Sequence, residues 1–366
     1  MRRFHTAYTF GGIALAAFTL QGCVTRTENL DNLNVITKPY SLHFADTAGL
    51  IYSTYDGQRF NVFSNTNGIA IEALMASGNN VLMRTQNGTN VFVSESDGNN
   101  TTFNVTFKDV NPAAFGPTMM INLPGYYDSA GRKYDRIYIA SSTGTGIAYQ
   151  DYNGHLDSAW LYPRDTDLGP LGSNKVTSFT KLENGAVIAF DNDTRKIWIK
   201  PDYVTPWTSK TGIGLPAAGG DRMFIISQKN DILAVVHMGG ADFGVYRSTD
   251  QGDNFSKLPN ITLAGTDIKD ITAAAAPFGK VLIVCTRDNG IWRLSGQGVW
   301  QPSSVGLKFG ARVYAISAKD NVFKNDRKGE YVFVATSDGI YRSDDLGQTW
   351  VRLEVPAVKP VFTAMY

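Results

Sequence analysis

The sequence predicts an all-β fold: seven units of four antiparallel strands closed into a ring, a seven-bladed β-propeller whose first blade is completed by the C-terminal strand. Three observations predict it. From residue 38 onward the chain is a series of short apolar runs, each ended by Gly, Asn or Asp, and no helical period lasts three turns. A small or polar residue followed by Ile or Val and an aromatic recurs, with its third position at Tyr52, Phe92, Ala148, Trp198, Tyr246, Trp292 and Tyr341. The steps between these positions are 40, 56, 50, 48, 46 and 49 residues, and one four-stranded blade takes about 40–50. The third observation is a pair of leftovers. Ser41 to Phe44 and Leu50 to Tyr52 read as second and third strands, whereas Val361 to Tyr366 reads as a first strand, like Val313 to Ala318 or Ile271 to Ala275. Joining the two ends leaves no open sheet edge.

Residues 1–22 read as a targeting segment rather than fold. Arg2 and Arg3 give a positive start, and Gly11 to Leu20 is an apolar run too short for a comfortable membrane span. The segment closes on Leu20-Gln21-Gly22-Cys23, which resembles the lipobox of bacterial lipoproteins. The resemblance implies that Cys23 is lipidated, for example by palmitate, and becomes the new N-terminus. Val24 after it resembles the outer-membrane sorting state. Residues 23–37 are a polar tether, and 38–366 form one domain. The expected location is the bacterial cell envelope, on an outer-membrane lipoprotein.

The whole chain carries a formal charge of +1 from 34 basic and 33 acidic residues. Removing 1–22 takes away two arginines and no acid, leaving 32 basic residues and a charge of −1. A near-neutral chain without a basic run argues against nucleic acid and against an electrostatic membrane surface, so membrane contact falls to the lipid alone. With Cys23 assigned to the anchor, Cys285 within Val281-Leu282-Ile283-Val284-Cys285 stands alone and reads as a buried, inert thiol.

Each repeat carries an apolar run before its marker, such as Val187 to Phe190, Ile232 to Val236 or Tyr331 to Ala335. After the marker come a turn and a second aromatic, such as Phe60, Trp160, Trp207, Phe255, Trp300 and Trp350. Two of those turns share a pattern. Ser343, Asp345, Gly347 and Trp350 recur as Ser248, Asp250, Gly252 and Phe255. Ser and Asp side chains can fold back onto the N–H groups of a turn, and Gly supplies positive φ without steric cost. Spelled Ser-x-Asp-x-Gly-x-Thr-Trp, the turn resembles the Asp box of sialidase-like and sortilin-like propellers (BNR repeats). The resemblance implies that these eight residues are structural and lie between the third and fourth strands of a blade.

Binding is expected on the other rim, where longer connections gather: Asn104 to Pro117, Leu161 to Lys175 and Thr208 to Asp221. The second carries Arg164, Asp165 and Asp167. The turn Asp191-Asn192-Asp193-Thr194-Arg195 opens on the same rim, which makes Asp191, Asp193 and Arg195 candidates too. This turn lacks the paired acidic pattern of a calcium loop, and His43, His155 and His237 lack metal-ligand spacing. No metal and no cofactor is expected. Arg247, Arg293 and Arg342 fill one equivalent slot and read as stems packed between blades.

Sialidases carry Arg-Ile-Pro before their first Asp box. Here the nearest string is Arg136-Ile137-Tyr138, within a strand and poorly placed to reach a channel. Relatives of the Asp-box type include glycosidases, sorting receptors and assembly factors. The reading from sequence is a lipid-anchored scaffold that binds another envelope protein through one propeller face. The alternatives are a sialidase-like glycoside hydrolase and a non-catalytic glycan-binding propeller.

Overall fold

The computed structural model describes residues 42–54, 61–65, 71–77, 80–85, 91–95, 106–109, 117–127, 129–131, 133–141, 146–152, 161, 176–192, 194–217, 222–237, 243–320, 330–355 and 362–365. Cys23, Arg164, Asp165, Asp167 and Asp193 lie outside them, as does the segment expected to target and anchor the chain.

The described strands are antiparallel throughout their sheets. The first sheet joins Phe362–Met365, Leu42–Asp46, Leu50–Thr54 and Asn61–Asn65. The second runs Ile71–Ser77, Asn80–Thr85, Val91–Glu95 and Thr106–Asp109, and the third runs Pro117–Tyr127, Lys133–Ser141 and Ile147–Tyr152. The fourth comprises Val176–Lys181, Val187–Asp191, Lys196–Lys200 and Thr208–Lys210, and the fifth Arg222–Gln228, Asp231–His237, Gly244–Ser248 and Ser256–Lys257. The sixth holds Ile271–Ala275, Leu282–Thr286, Ile291–Leu294 and Trp300–Pro302, and the seventh Val313–Asp320, Glu330–Thr336, Gly339–Ser343 and Val351–Arg352. A short ribbon, Thr262–Leu263 with Thr266–Asp267, stands between the fifth and the sixth.

The first strands of these sheets neighbour one another in a closed circuit that returns from Val313–Asp320 to Phe362–Met365. This is a β-propeller, and its closure is the expected one: Phe44 pairs with Met365 and Ala45 with Ala364. Among the described residues six of the sheets have four strands and the third has three, with one further bridge from Tyr149 to Leu161.

Second strands are buried on both faces because a sheet lies on each side. Val187–Asp191 and Leu282–Thr286 expose nothing, so they read as unbroken apolar runs rather than alternating ones. Five apolar clusters among the described side chains join consecutive sheets, from the third around to the first. Cys285 lies inside one of them, and burial pushes its thiol well above the usual range. Five first strands begin with a register shift, at Ile71/Ala73, Pro117/Met119, Val176/Ser178, Ile271/Ala273 and Val313/Ala315. The extra residue of such a bulge can turn its side chain across the ring: Thr272 Oγ1 donates to the carbonyl of Val313 at 2.7 Å.

Candidate functional site

The eight-residue turns between third and fourth strands explain where a site arises. In the fifth sheet, residues 248–255 are closed by the pair Arg247–Ser256; in the seventh, 343–350 are closed by Arg342–Val351. Their hydrogen bonds match. Ser248 and Ser343 each donate Oγ to Oδ1 of the Asp two residues on, at 2.8 Å, and each Oγ accepts the Gly252 or Gly347 amide at 2.8 Å. Oδ1 of Asp250 accepts the Asn254 amide, and Oδ1 of Asp345 those of Gln348 and Thr349, all at 2.9 Å. Hydrogen bonds from Asn254 and Ser248 hold the Asp250 carboxyl at about 2. Burial pushes the Asp345 carboxyl up, but the bonds from Thr349, Ser343 and Gln348 outweigh it and leave it low.

Both turns are pinned to the sheet before them. Gln251 and Gly252, like Leu346 and Gly347, have positive φ, which brings the glycine against the neighbour. A Cβ on Gly347 would lie 2.6 Å from Ile283 Cδ1. A strap then crosses the junction. Ile213 pairs in parallel with Asn254, and Val305 with Thr349. The Ile213 amide donates to the Asp253 carbonyl at 2.9 Å and its own carbonyl accepts the Phe255 amide at 2.7 Å; the Trp350 amide reaches the Val305 carbonyl at 2.9 Å. In each strap the next residue is glycine, Gly214 or Gly306, whose Cβ would overlap the carbonyl oxygen of Phe255 or Trp350. Leucine follows, and Leu215 and Leu307 pack onto the clusters beneath.

The turn of the fourth sheet has the same length and a different outcome. Residues 200–207 are closed by Ile199–Thr208, with Asp202 five residues before Trp207, as Asp250 is before Phe255. The serine position holds Lys200 and the glycine position Val204. A β-branched residue resists positive φ, and neither Tyr203 nor Val204 adopts it. Asp202 instead caps a tighter turn, accepting the Val204 and Thr205 amides at 2.8 and 2.6 Å. Lys200 Nζ bonds the Thr205 carbonyl, which corresponds to the carbonyl that the strap engages at Asp253. Val204 points outward, 84% exposed.

Beside this turn lies a cavity of about 250 Å³, lined by Arg136, Tyr138, Tyr149, Lys200, Tyr203, Val204, Pro206 and Trp207. Arg136 sits on the second strand of the third sheet. It donates Nε and Nη2 to the two carboxylate oxygens of Asp151 at 2.7 and 2.9 Å. Its guanidinium is stacked between Tyr149 and Tyr203, 4.0 and 4.2 Å from their ring centroids. Despite burial, the bonds with Asp151 raise its already high pKa. Tyr138 packs edge-on against Trp207, 5.4 Å between centroids, and burial pushes its phenol up to about 12. The result is an aromatic pocket with a fixed ion pair in its wall. Leu161 adds a half-exposed apolar side chain at the edge, bridging Tyr149 by two backbone bonds.

The candidates named from sequence fare differently. Asp191 is fully buried and its oxygens cap their own turn, bonding the Thr194 amide and hydroxyl; Arg195 is buried, with Nη1 on Asn192. These two serve the turn, since positive φ at Arg195 requires local capping, and they do not come together with the pocket. Thr208 to Asp221, expected as an open connection, spends its first residues on an outer strand and a strap. Arg136, set aside on sequence, lines the pocket. Of the arginine slot, Arg247 pairs with Asp231 and Arg342 lies 5.0 Å over the Tyr331 ring. His43 is buried against Ser53, Nδ1 to Oγ 2.6 Å. Among the described residues no three His, Cys, Asp or Glu side chains gather to hold a metal. None of the described helices is long and apolar enough to cross a membrane.

No protein-family model matches the sequence, and no curated protein matches it. Solved structures do resemble it. Virginiamycin B lyase from Staphylococcus aureus is 13% identical with a TM-score of 0.52, over 80% of this chain and 87% of that one. YCF48 bound to D1 peptide is 12% identical with a TM-score of 0.52, over 87% and 91%. A putative 6-phosphogluconolactonase from Bacteroides uniformis is 15% identical with a TM-score of 0.54, over 89% and 98%. At such identities the likeness establishes the propeller fold alone.

Proposed function

We propose that the chain is a receptor or scaffold of the bacterial envelope, anchored through a lipid on Cys23, and that it binds another envelope protein at the junction of its third and fourth sheets. The observation that carries this reading is the aromatic pocket at that junction. Tyr138, Tyr149, Tyr203 and Trp207 line it, with the exposed Val204 among the lining residues, and the half-exposed Leu161 bridges the backbone of Tyr149. Aromatic walls with apolar lips and a fixed charge pair are what a protein partner anchors on. The solved propeller YCF48 holds a D1 peptide, which supports the class of function. On this reading the turns 248–255 and 343–350 are Asp boxes with a structural role, and Arg164, Asp165 and Asp167 belong to a connection that also meets the partner.

A glycan ligand has one observation in its favour, a carboxylate beside aromatic walls. Both oxygens of Asp151 are nevertheless engaged by Arg136, unlike the open pair of carboxyl groups that glycoside hydrolysis uses. The test is crosslinked capture from intact envelopes, comparing wild type with Tyr203→Ala. The expected result is a specific polypeptide captured by wild type and lost in the variant; equal capture by both moves the site elsewhere. Cys23→Ser should release the protein from membranes, and retention after an alkaline wash would remove the anchor.

A further inference from the structure

We infer that Asn289 is a self-modification site: with Gly290 it closes to a cyclic imide, loses ammonia, and becomes aspartate or isoaspartate. The inference is independent of the partner-binding reading. Residues 243–320, which hold the turn and every contact invoked at it, are described without a break. The chemistry needs a side-chain amide free to bend back, a following residue with no Cβ in the way, and a backbone nitrogen whose N–H is unengaged. The turn 286–290 of the sixth sheet supplies all three. Asn289 is exposed, and among the described residues its side-chain amide bonds to none. The turn is held at other atoms. Thr286 Oγ1 accepts the Asn289 backbone amide at 3.0 Å and donates to the Gly290 carbonyl at 2.8 Å. The Thr286 amide donates to that same carbonyl at 2.9 Å, and Trp292 Nε1 donates to the Asn289 carbonyl at 3.0 Å. The Gly290 amide meets no acceptor among the described residues. Glycine is required here, since φ is +71° and a Cβ would lie 2.3 Å from Ser304 Oγ.

The chain carries its own control. Asn184-Gly185, in the first turn of the fourth sheet, has the same two residues, again with an exposed asparagine and positive φ at the glycine. There the Gly185 amide donates to the Leu182 carbonyl at 2.9 Å, and Asn184 Oδ1 accepts the Ala186 amide at 3.0 Å. Nucleophile and electrophile are both occupied by the turn. Three further Asn-Gly pairs, at Asn67, Asn87 and Asn153, lie outside the described residues. In the turn 286–290, hydroxide takes the Gly290 amide proton and the nitrogen attacks the side-chain carbonyl carbon of Asn289. The bond from that carbon to the amide nitrogen breaks, and ammonia leaves. Water then opens the imide, at the side-chain carbonyl to give aspartate or at the backbone carbonyl to give isoaspartate. One water is consumed and one ammonia released, with no change of oxidation state. Either product places a carboxylate next to Asp288, which pairs with Arg312 at 3.4 Å.

The test holds the folded full-length protein at mildly alkaline pH in water labelled with heavy oxygen, then maps its peptides by mass over time. Asn289 should convert at least about tenfold faster than Asn184. Each event should carry one heavy oxygen, and isoaspartate should accompany aspartate at position 289. In urea, where neither turn survives, the two rates should become alike. Equal rates in the folded protein overturn the proposal, because the unengaged Gly290 amide would then decide nothing. A lead for Asn289 that persists unchanged in urea overturns it too, since flanking sequence and not the turn would set the rate. Aspartate without isoaspartate at 289 does the same, because direct hydrolysis would bypass the imide.

Discussion

Two of the third-to-fourth-strand turns carry a strap, at Ile213 and Val305, and among the described residues the turn 200–207 carries none; the contrast bears on what a single residue in a repeated turn controls. Where the turn offers glycine, at 252 and 347, the chain folds down onto the preceding sheet and a strap bonds across it. Where it offers Val204, the backbone cannot take positive φ, the turn tightens around Asp202, and a cavity with an ion pair in its wall is left. The strap at Ile213 gains three backbone bonds and that at Val305 one, at roughly 1 kcal/mol each.

The largest expected effect comes from breaking a strap. Gly306→Ala would force positive φ on alanine and drive a Cβ into the Trp350 carbonyl; we expect a loss of roughly 3 kcal/mol in urea unfolding. The same measurement on Gly310→Ala, with positive φ and no close neighbour, should show about 1 kcal/mol. If the two lose the same amount, the strap contributes nothing beyond backbone conformation.

Asp345→Ala comes next, at about 1 kcal/mol, since it removes bonds to Thr349, Gln348 and Ser343 from a turn open to solvent. Asp202→Ala should cost less, because none of the described residues straps its turn. Acid offers a gentler version. The Asp250 carboxyl is held below its unfolded value, so its contribution is complete above about pH 4 and is lost as pH falls from there toward 2. Asp250→Asn should flatten that part of the stability profile; an unchanged slope would mean that the turn's hydrogen bonds do not favour the ion.

The smallest effect on stability, and the sharpest on the comparison, is expected from converting the turn 200–207. Lys200→Ser with Val204→Gly and Pro206→Thr restores the strapped pattern. We expect a change within about 1 kcal/mol together with loss of partner capture. A converted protein that still captures its partner would show that the pocket is a by-product of the turn and not the site.

The fold was legible because its signal is distributed: the spacing of Tyr246, Trp292 and Tyr341, and the spare strand at the end, are each redundant with the rest. The strapped turns were legible because their chemistry is local, Ser to Asp to Gly within five residues. The pocket was not, because Arg136, Asp151 and Trp207 come from three separate strands or turns and meet only through sheet pairing. One signal was available: Asp202 stands five residues before Trp207, the spacing of Asp250 to Phe255 and Asp345 to Trp350, with valine where glycine should be. Asp191 and Arg195, named from sequence, lie in a tight turn where Asp191 bonds Thr194 and Arg195 bonds Asn192.

The pairing of Phe44 with Met365 ties the closing of the circle to two distant parts of the chain. The first sheet receives its inner strand, Phe362–Met365, from beyond all the other sheets, so the circle stays open until that segment is in place. Contacts of such sequence separation form late and slowly. Until Phe362–Met365 arrives the edge of Leu42–Asp46 is unpaired, and whatever holds that edge in the interval decides whether the molecule matures or aggregates.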